Sequence, residues 1–169
     1  MKPLPLVLPL VLALVLLLLG CDYHVALVTT PDQPLQQGLI GLWQRQDAAG
    51  YKELLQVLPL DKHQYLIVFP AGQKDSLYAR ACHWRNDALP MVQITWLGST
   101  EPIAADTPPF QYAHWTLVND TLTVQSLNPE QISNATRSST ALANSITANA
   151  DDPTIFREAM IFRRHKLDK

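Results

Sequence analysis

Apolar and polar residues alternate in short runs along most of the chain after residue 38. In the run 91–97, Val92, Ile94 and Trp96 fall on one face, and Gln93 and Thr95 fall on the other. A period of two residues places successive side chains on opposite faces of a strand, so the pattern predicts half-buried β-strands. The eight strands predicted in this way are 42–46, 51–58, 65–69, 77–84, 91–97, 112–118, 121–127 and 159–165.

The strand pattern is interrupted before the last strand, where a helical insert is predicted. Asn128 and Pro129 suit the N-cap and the first position of a helix. The segment is rich in Ser, Thr and Asn, which are poor helix formers, so packing must hold the helix or it must be two short pieces. Asp152-Pro153 begins another helical turn. The apolar positions near one helical face are Ile132, Ala135, Leu142 and Ile146.

Short strands with tight connections predict a mainly β fold, either an antiparallel β-barrel or a strongly curved sheet, with the helical insert before the last strand. Asn119-Asp120 is a two-residue hairpin signal. Residues 98–110 form a longer loop, which we expect to be mobile. We place this single β-rich domain at 38–169.

The N-terminal segment 1–20 has the pattern of a secretory leader. Met1-Lys2 is a short positive region, and an almost wholly apolar stretch follows it to Leu19. The uninterrupted part, 10–19, is about half the ~20 residues that a membrane-spanning helix needs. Pro5 and Pro9 also disfavour a long straight helix.

Leu18-Leu19-Gly20-Cys21 resembles the lipobox of bacterial lipoproteins. The resemblance implies that residues 1–20 are removed and that acyl chains on Cys21 attach the protein to a membrane. Each buried CH₂ contributes about 0.8 kcal/mol, so two or three chains give a stable anchor. Asp22 resembles the signal that retains lipoproteins at the periplasmic face of the inner membrane in Gram-negative bacteria. The alternative is an uncleaved N-terminal anchor with an incidental cysteine. Residues 21–37 are predicted to be a lipidated, flexible tether, because 29–34 lacks periodicity and carries turn residues.

Charge argues against nucleic-acid binding, and the two cysteines limit the role of Cys82. The formal net charge is −2, and no run of five basic residues occurs, so nucleic-acid binding is not indicated. If Cys21 is acylated, Cys82 has no intramolecular disulfide partner. We predict that Cys82 is a buried, inert thiol. The alternative is a reactive thiolate beside His83, although adjacent strand residues point to opposite faces.

No motif for catalysis or for a cofactor is present. The chain lacks a Gly-rich phosphate loop, His-Glu-x-x-His, Cys-x-x-Cys and Gly-x-Ser-x-Gly. The five histidines are scattered, and of these His114 could face a barrel interior. We therefore predict a protein without enzymatic activity, metal or cofactor. A glycosidase would need two carboxylates close together, but the sequence does not indicate which acids would meet. The acids considered for such a pair are Glu53, Asp61, Asp87, Glu101 and Asp106.

Gly41-Leu42-Trp43, at the start of the first strand, resembles the Gly-x-Trp motif of lipocalins and other calycins. The resemblance implies that an arginine near the chain end packs over Trp43 and closes the base of a barrel. Arg163 or Arg164 on the last strand is the candidate for that position. The alternative is that Trp43 is an ordinary core aromatic residue.

Two hypotheses on function follow. The first is a lipid-anchored binding module that holds a small apolar or lipid-like ligand in a barrel. The second is a non-catalytic accessory subunit of an envelope complex. The side chains that we expect to line the ligand site, or else to form the core, are Trp43, Trp96, Tyr112 and Trp115.

Overall fold

The computed structural model describes residues 23–46, 49–87, 89–99 and 107–166. Eight antiparallel strands follow one another around a closed barrel, and the last strand pairs with the first. The prediction of a mainly β fold with a barrel is therefore confirmed. The strands are β1 (Gly41–Gln46), β2 (Lys52–Pro59), β3 (Tyr65–Phe69), β4 (Leu77–Trp84), β5 (Met91–Ser99), β6 (Phe110–Val118), β7 (Thr121–Ser126) and β8 (Met160–Arg164).

One end of the barrel, which we call the base, is filled around Trp43. The Trp43 ring is completely buried, and its Nε1–H donates to the Leu39 carbonyl at 2.9 Å. Leu39 ends a short 3₁₀ turn, Gln37–Leu39, that precedes β1. The buried residues of this interior cluster are Leu39, Trp43, Leu55, Val57, Tyr65, Ala81, Leu122 and Phe162.

Arg164, at the end of β8, lies over Trp43 at the base. Its guanidinium carbon is 4.2 Å from the centroid of the Trp43 ring, which is cation–π geometry. The guanidinium also donates to the carbonyl of Ile40 at 3.2 Å and to that of Gly38. Arg163, the other candidate, is exposed, because the two-residue period of a strand turns it to the outer face. Arg164, and not Arg163, therefore closes the base.

Gly41 allows this arginine to approach the backbone. Its φ angle is +149°, a conformation that L side chains rarely adopt. A Cβ atom at this position would lie 2.7 Å from Nη1 of Arg164. A side chain at residue 41 would therefore displace the guanidinium from Trp43.

Residues 23–36, which we call the strap, pack on the outer wall instead of forming the predicted flexible tether. Tyr23 is completely buried, and it exchanges backbone hydrogen bonds of 3.0 and 3.1 Å with Phe110. The Tyr23 hydroxyl donates to the Ile132 carbonyl at 2.8 Å. Gln36 donates its N–H to the Tyr65 hydroxyl at 2.6 Å, so the strap ends at the base.

The middle of the strap is held by one buried amide side chain. Gln93 Oε1 accepts from the N–H groups of Leu27 at 2.7 Å and Val28 at 2.9 Å, and its Nε2 donates to the Val28 carbonyl at 2.9 Å. Gln93 is 4% exposed, so these bonds satisfy a polar group that would otherwise be costly to bury.

The helical insert begins later than the sequence pattern predicts. Asn128 and Pro129 begin a turn, in which the Asn128 carbonyl accepts from the Ile132 N–H at 2.9 Å. Helix α1 spans Ser139–Ala148, and the Ser138 side chain caps it. The alternative prediction of two short helical pieces is closer to the structure. The poor helix formers between the turn at Asn128 and α1 do not sustain a continuous helix. A 3₁₀ turn, Pro153–Ile155, follows.

A second apolar cluster lies outside the barrel, between its wall, the strap and α1. It buries Leu142 and Ile146 from α1 against Tyr23 and Tyr112. The helix therefore contributes to stability by covering one side of the barrel from the outside.

We predict that Arg164→Ala lowers the free energy of unfolding by about 2–3 kcal/mol, because a cation–π contact and charge-assisted hydrogen bonds at the base are lost. The matched control is Arg163→Ala, which removes an exposed arginine and should change stability by less than about 0.5 kcal/mol. Urea unfolding followed by tryptophan fluorescence measures both. Equal effects of the two substitutions would contradict the closure by Arg164.

Candidate functional site

The barrel interior above Trp43 contains a cavity of about 190 Å³. Its deep part is bounded by Leu39, and its wall is mostly apolar, with Leu55, Ile94 and Val124 among the lining side chains. A dry apolar cavity of about 150 Å³ is large enough to bind benzene. The cavity can therefore hold a small apolar molecule or part of a larger one.

The cavity extends to the barrel end opposite the base, which we call the mouth. Gln73 and Asp75, exposed residues that connect β3 and β4, lie along its edge at this end. At the other end Leu39 and Trp43 are buried and closely packed. A ligand would therefore enter through the mouth.

An ion pair lies on the cavity wall near the mouth. Arg45 Nε is 2.6 Å from Glu53 Oε2, and both side chains are mostly buried. The Arg45 guanidinium carbon is 5.4 Å from the Phe69 ring centroid and 5.5 Å from that of Phe162. Because the two charges neutralise each other, this wall carries no unbalanced charge from the pair.

The sequence analysis did not identify this pair. Arg45 follows Trp43 by two residues, so the strand period already places it on the inner face. Glu53 was considered only as one of several scattered acids. It lies opposite Arg45 in the β1–β2 register.

Three further polar side chains, Gln111, Ser126 and Trp96, lie on the cavity wall near the mouth. Gln111 Nε2 donates to Ser126 Oγ at 3.4 Å, a long hydrogen bond. Trp96 also lines the cavity, and its indole Nε1–H is buried without a hydrogen-bond partner among the described residues. An unpaired buried donor costs about 1–3 kcal/mol, and neighbouring atoms cover this N–H in the structure.

The four aromatic residues that were expected at a ligand site fall into three different places. Trp96 and Trp115 line the cavity. Trp43 lies below the cavity, in the base. Tyr112 lies outside the barrel, where it packs against Tyr23 with ring centroids 5.2 Å apart and donates to the Val25 carbonyl. Burial there raises the pKa of the Tyr112 hydroxyl.

The histidine inside the barrel is His83, whereas His114 faces outwards. His83 Nε2 is 2.9 Å from the Tyr65 hydroxyl, and its ring packs edge-on against Trp115. The hydroxyl also accepts from the Gln36 N–H, and in the His83 tautomer with an unprotonated Nε2 it donates to that nitrogen. Burial lowers the pKa of His83. His114 Nδ1 lies 2.7 Å from the Pro90 carbonyl on the outer wall.

Cys82 points away from His83, as the strand period predicts. It is buried in the outer wall, close to Val28 of the strap. Burial raises the pKa of its thiol to about 11, so little thiolate exists at neutral pH. The geometry fits an inert thiol and not a nucleophile activated by His83.

Several sequence predictions lie outside the described residues, namely those on 1–20, Cys21, Asp22, Glu101 and Asp106. Within the described ranges, no three His, Cys, Asp or Glu side chains gather in a way that could hold a metal ion. No helix in those ranges is long and apolar enough to cross a membrane. Asp61 lies in a turn at the base, where hydrogen bonds from the His63 N–H and from Gln64 lower its pKa.

Comparisons with protein-family models, with curated proteins and with solved structures give no match to this chain. The function of the protein is therefore inferred from its cavity and from the residues of its own sequence.

We predict that acidification from pH 7.5 to 5 destabilises the protein through His83. Because the pKa of His83 is lowered on folding, the unfolded chain binds the proton more readily once the pH falls below the usual value of about 6.5. The contribution of neutral His83 to the free energy of unfolding is complete above that pH. It is lost as the pH falls towards the pKa of His83 in the folded protein. His83→Gln should reduce this loss, measured by urea unfolding at each pH. If the substitution leaves the pH dependence unchanged, the assignment to His83 is wrong.

Proposed function

We propose that this protein is a membrane-anchored bacterial lipoprotein whose β-domain binds a small apolar ligand in the cell envelope. The observation that carries the binding proposal is the apolar cavity of about 190 Å³ inside a closed barrel. Fold alone does not assign function, so the chemistry of the cavity wall defines the class of ligand.

The size of the cavity limits the ligand to a single ring or a short acyl segment. Its volume is only slightly larger than the roughly 150 Å³ that holds benzene, and it is below the 300–1,000 Å³ that is common for drug-sized ligands. A complete membrane lipid would not fit. Part of such a lipid, or a small hydrophobic metabolite, would fit.

The polar groups of the wall favour a neutral ligand with one hydrogen-bond acceptor. Glu53 already neutralises Arg45, so a charged ligand would have no unpaired counter-charge in that pair. A small rotation of the Trp96 ring would turn its buried indole N–H, which has no partner among the described residues, towards a ligand. A ketone, ester or alcohol oxygen on an apolar body would satisfy it.

The membrane attachment in this proposal depends on the lipobox-like sequence ending at Cys21. Cleavage after Gly20 would leave Cys21 as the acylated N-terminus. Asp22 supports retention at the periplasmic face of the inner membrane if the host is Gram-negative. Absence of enzymatic activity remains a prediction from the lack of catalytic motifs.

The alternative function is a non-catalytic accessory subunit of an envelope complex. The observation that favours it is a set of exposed large apolar side chains on the outer surface, which includes Tyr78, Leu97 and Ile161. On this alternative, filling the cavity would have no effect on function. The two proposals therefore differ in a property that can be measured.

We predict that Cys21→Ala abolishes acylation and leaves uncleaved or mislocalised precursor, because the thiol that takes the acyl chain is absent. Metabolic labelling with palmitate in a bacterial host measures the acylation, and fractionation measures the location. The matched control is Cys82→Ala, which removes the buried thiol and should leave labelling unchanged. Palmitate labelling of the Cys21→Ala protein would disprove the anchor.

We predict that the purified domain binds toluene and 2-heptanone, and that Val124→Phe lowers both affinities by roughly tenfold or more because the new ring occupies the cavity. Thr123→Phe is the matched control, since it adds the same ring to the outer face of the same strand. Calorimetric titration measures the binding.

Trp96→Phe in the same titrations tests the hydrogen-bond donor. The substitution keeps an aromatic ring in the wall and removes the N–H. It should therefore lower the affinity for 2-heptanone by roughly two- to tenfold and leave the affinity for toluene nearly unchanged. Failure of the wild-type domain to bind either probe would refute the ligand-binding proposal.

A further inference from the structure

The N-terminal end of the strap is fixed at the mouth of the barrel. β6 begins at Phe110 at this end, and Tyr23 is joined to Phe110 by a backbone hydrogen bond in each direction. The Tyr23 ring is completely buried, and its hydroxyl donates to Ile132 on the helical insert. The position of Tyr23 relative to the mouth is therefore set by these hydrogen bonds and by apolar packing.

Only one residue separates Tyr23 from Cys21. Two successive Cα–Cα steps span at most about 7 Å, whatever conformation the chain adopts there. If Cys21 is acylated, as the proposed function requires, the Cα atom of the acylated residue lies within about 7 Å of the Tyr23 Cα atom. A long flexible tether would let the barrel take any orientation, but this short connection holds one edge of the mouth at the bilayer.

We propose that the mouth of the barrel faces the membrane surface, so that an apolar ligand passes between the bilayer and the cavity without crossing bulk water. The inference rests on the proposed acylation of Cys21 and extends it from attachment to orientation. The partner of the mouth is thus a phospholipid bilayer.

The distribution of exposed apolar side chains agrees with this orientation. Tyr78 near the start of β4, Leu97 near the end of β5 and Ile161 near the start of β8 all lie towards the mouth, and each is at least 39% exposed. Tyr51, beside the β1–β2 turn at the same end, is 72% exposed. Tyrosine suits a membrane–water interface because its ring is apolar and its hydroxyl stays hydrated.

Exposed charges occur at both ends of the barrel, and the turns of the base carry Asp61, Lys62 and Asp120. Leu60 and Val118 are also exposed at this end, but they stand beside these charges. The exposed charges of the mouth are Lys52, Lys74 and Asp75, so the orientation is inferred from the position of Tyr23 and not from the charge of either end.

The experiment places single spin labels at the two ends of the full-length acylated protein. In a Cys82→Ala background, Leu97→Cys and Ile161→Cys label the mouth, and Leu60→Cys and Val118→Cys are the matched controls at the base. The proteins are reconstituted in vesicles of phosphatidylethanolamine and phosphatidylglycerol. Electron paramagnetic resonance then measures the access of oxygen and of a water-soluble nickel chelate to each label.

We expect the mouth labels to lose access to the nickel chelate and to gain access to oxygen on the vesicle, while the base labels keep their aqueous values. The proposed orientation would be overturned if the base labels were immersed in the bilayer. It would also be overturned if the labels at both ends kept the accessibilities that they have in water. Immersion of the mouth labels in native membranes but not in protein-free vesicles would also overturn it, since a protein would then cover the mouth. Mass spectrometry of Cys21 beforehand separates these outcomes from failure of the anchor itself.

Discussion

The contact of Arg164 with Trp43 is the constraint on which the rest of the structure depends. It joins the last strand to the first strand and to the 3₁₀ turn before it, because the guanidinium also binds the carbonyls of Gly38 and Ile40. Sealing the base in this way leaves the mouth as the open end of the interior. The position of the cavity, its polar edge and its route of entry all follow from having one closed end.

The interior cavity and the covered exterior are complementary. The side chains around a cavity of about 190 Å³ make fewer packing contacts than they would in a filled core. The outer cluster under α1 and the strap buries Tyr23, Tyr112, Leu142 and Ile146, and burial of this kind offsets that loss. The barrel can thus carry a cavity because part of its core is outside it.

Strand order and bounds could be predicted closely, since a half-buried strand leaves a two-residue period in the sequence. The same period distinguishes Arg164 from Arg163 and Trp115 from Tyr112, because members of each pair fall on opposite faces. The helix start could not be predicted from Asn128-Pro129, since a turn uses the same residues. The strap left no signal, because backbone hydrogen bonds to Gln93 and Phe110 hold it, and these contacts do not depend on a repeating side-chain pattern. The Arg45–Glu53 pair needed the register of two strands, which composition does not provide.

The pairing of β8 with β1 also has a consequence for biogenesis. The two strands lie far apart in the sequence, so the sheet keeps two unpaired edges until β8 has been synthesised. Contacts between such distant segments slow folding, and open edges promote aggregation while they persist. A truncated or stalled chain that lacks β8 would therefore be a target for chaperones and proteases.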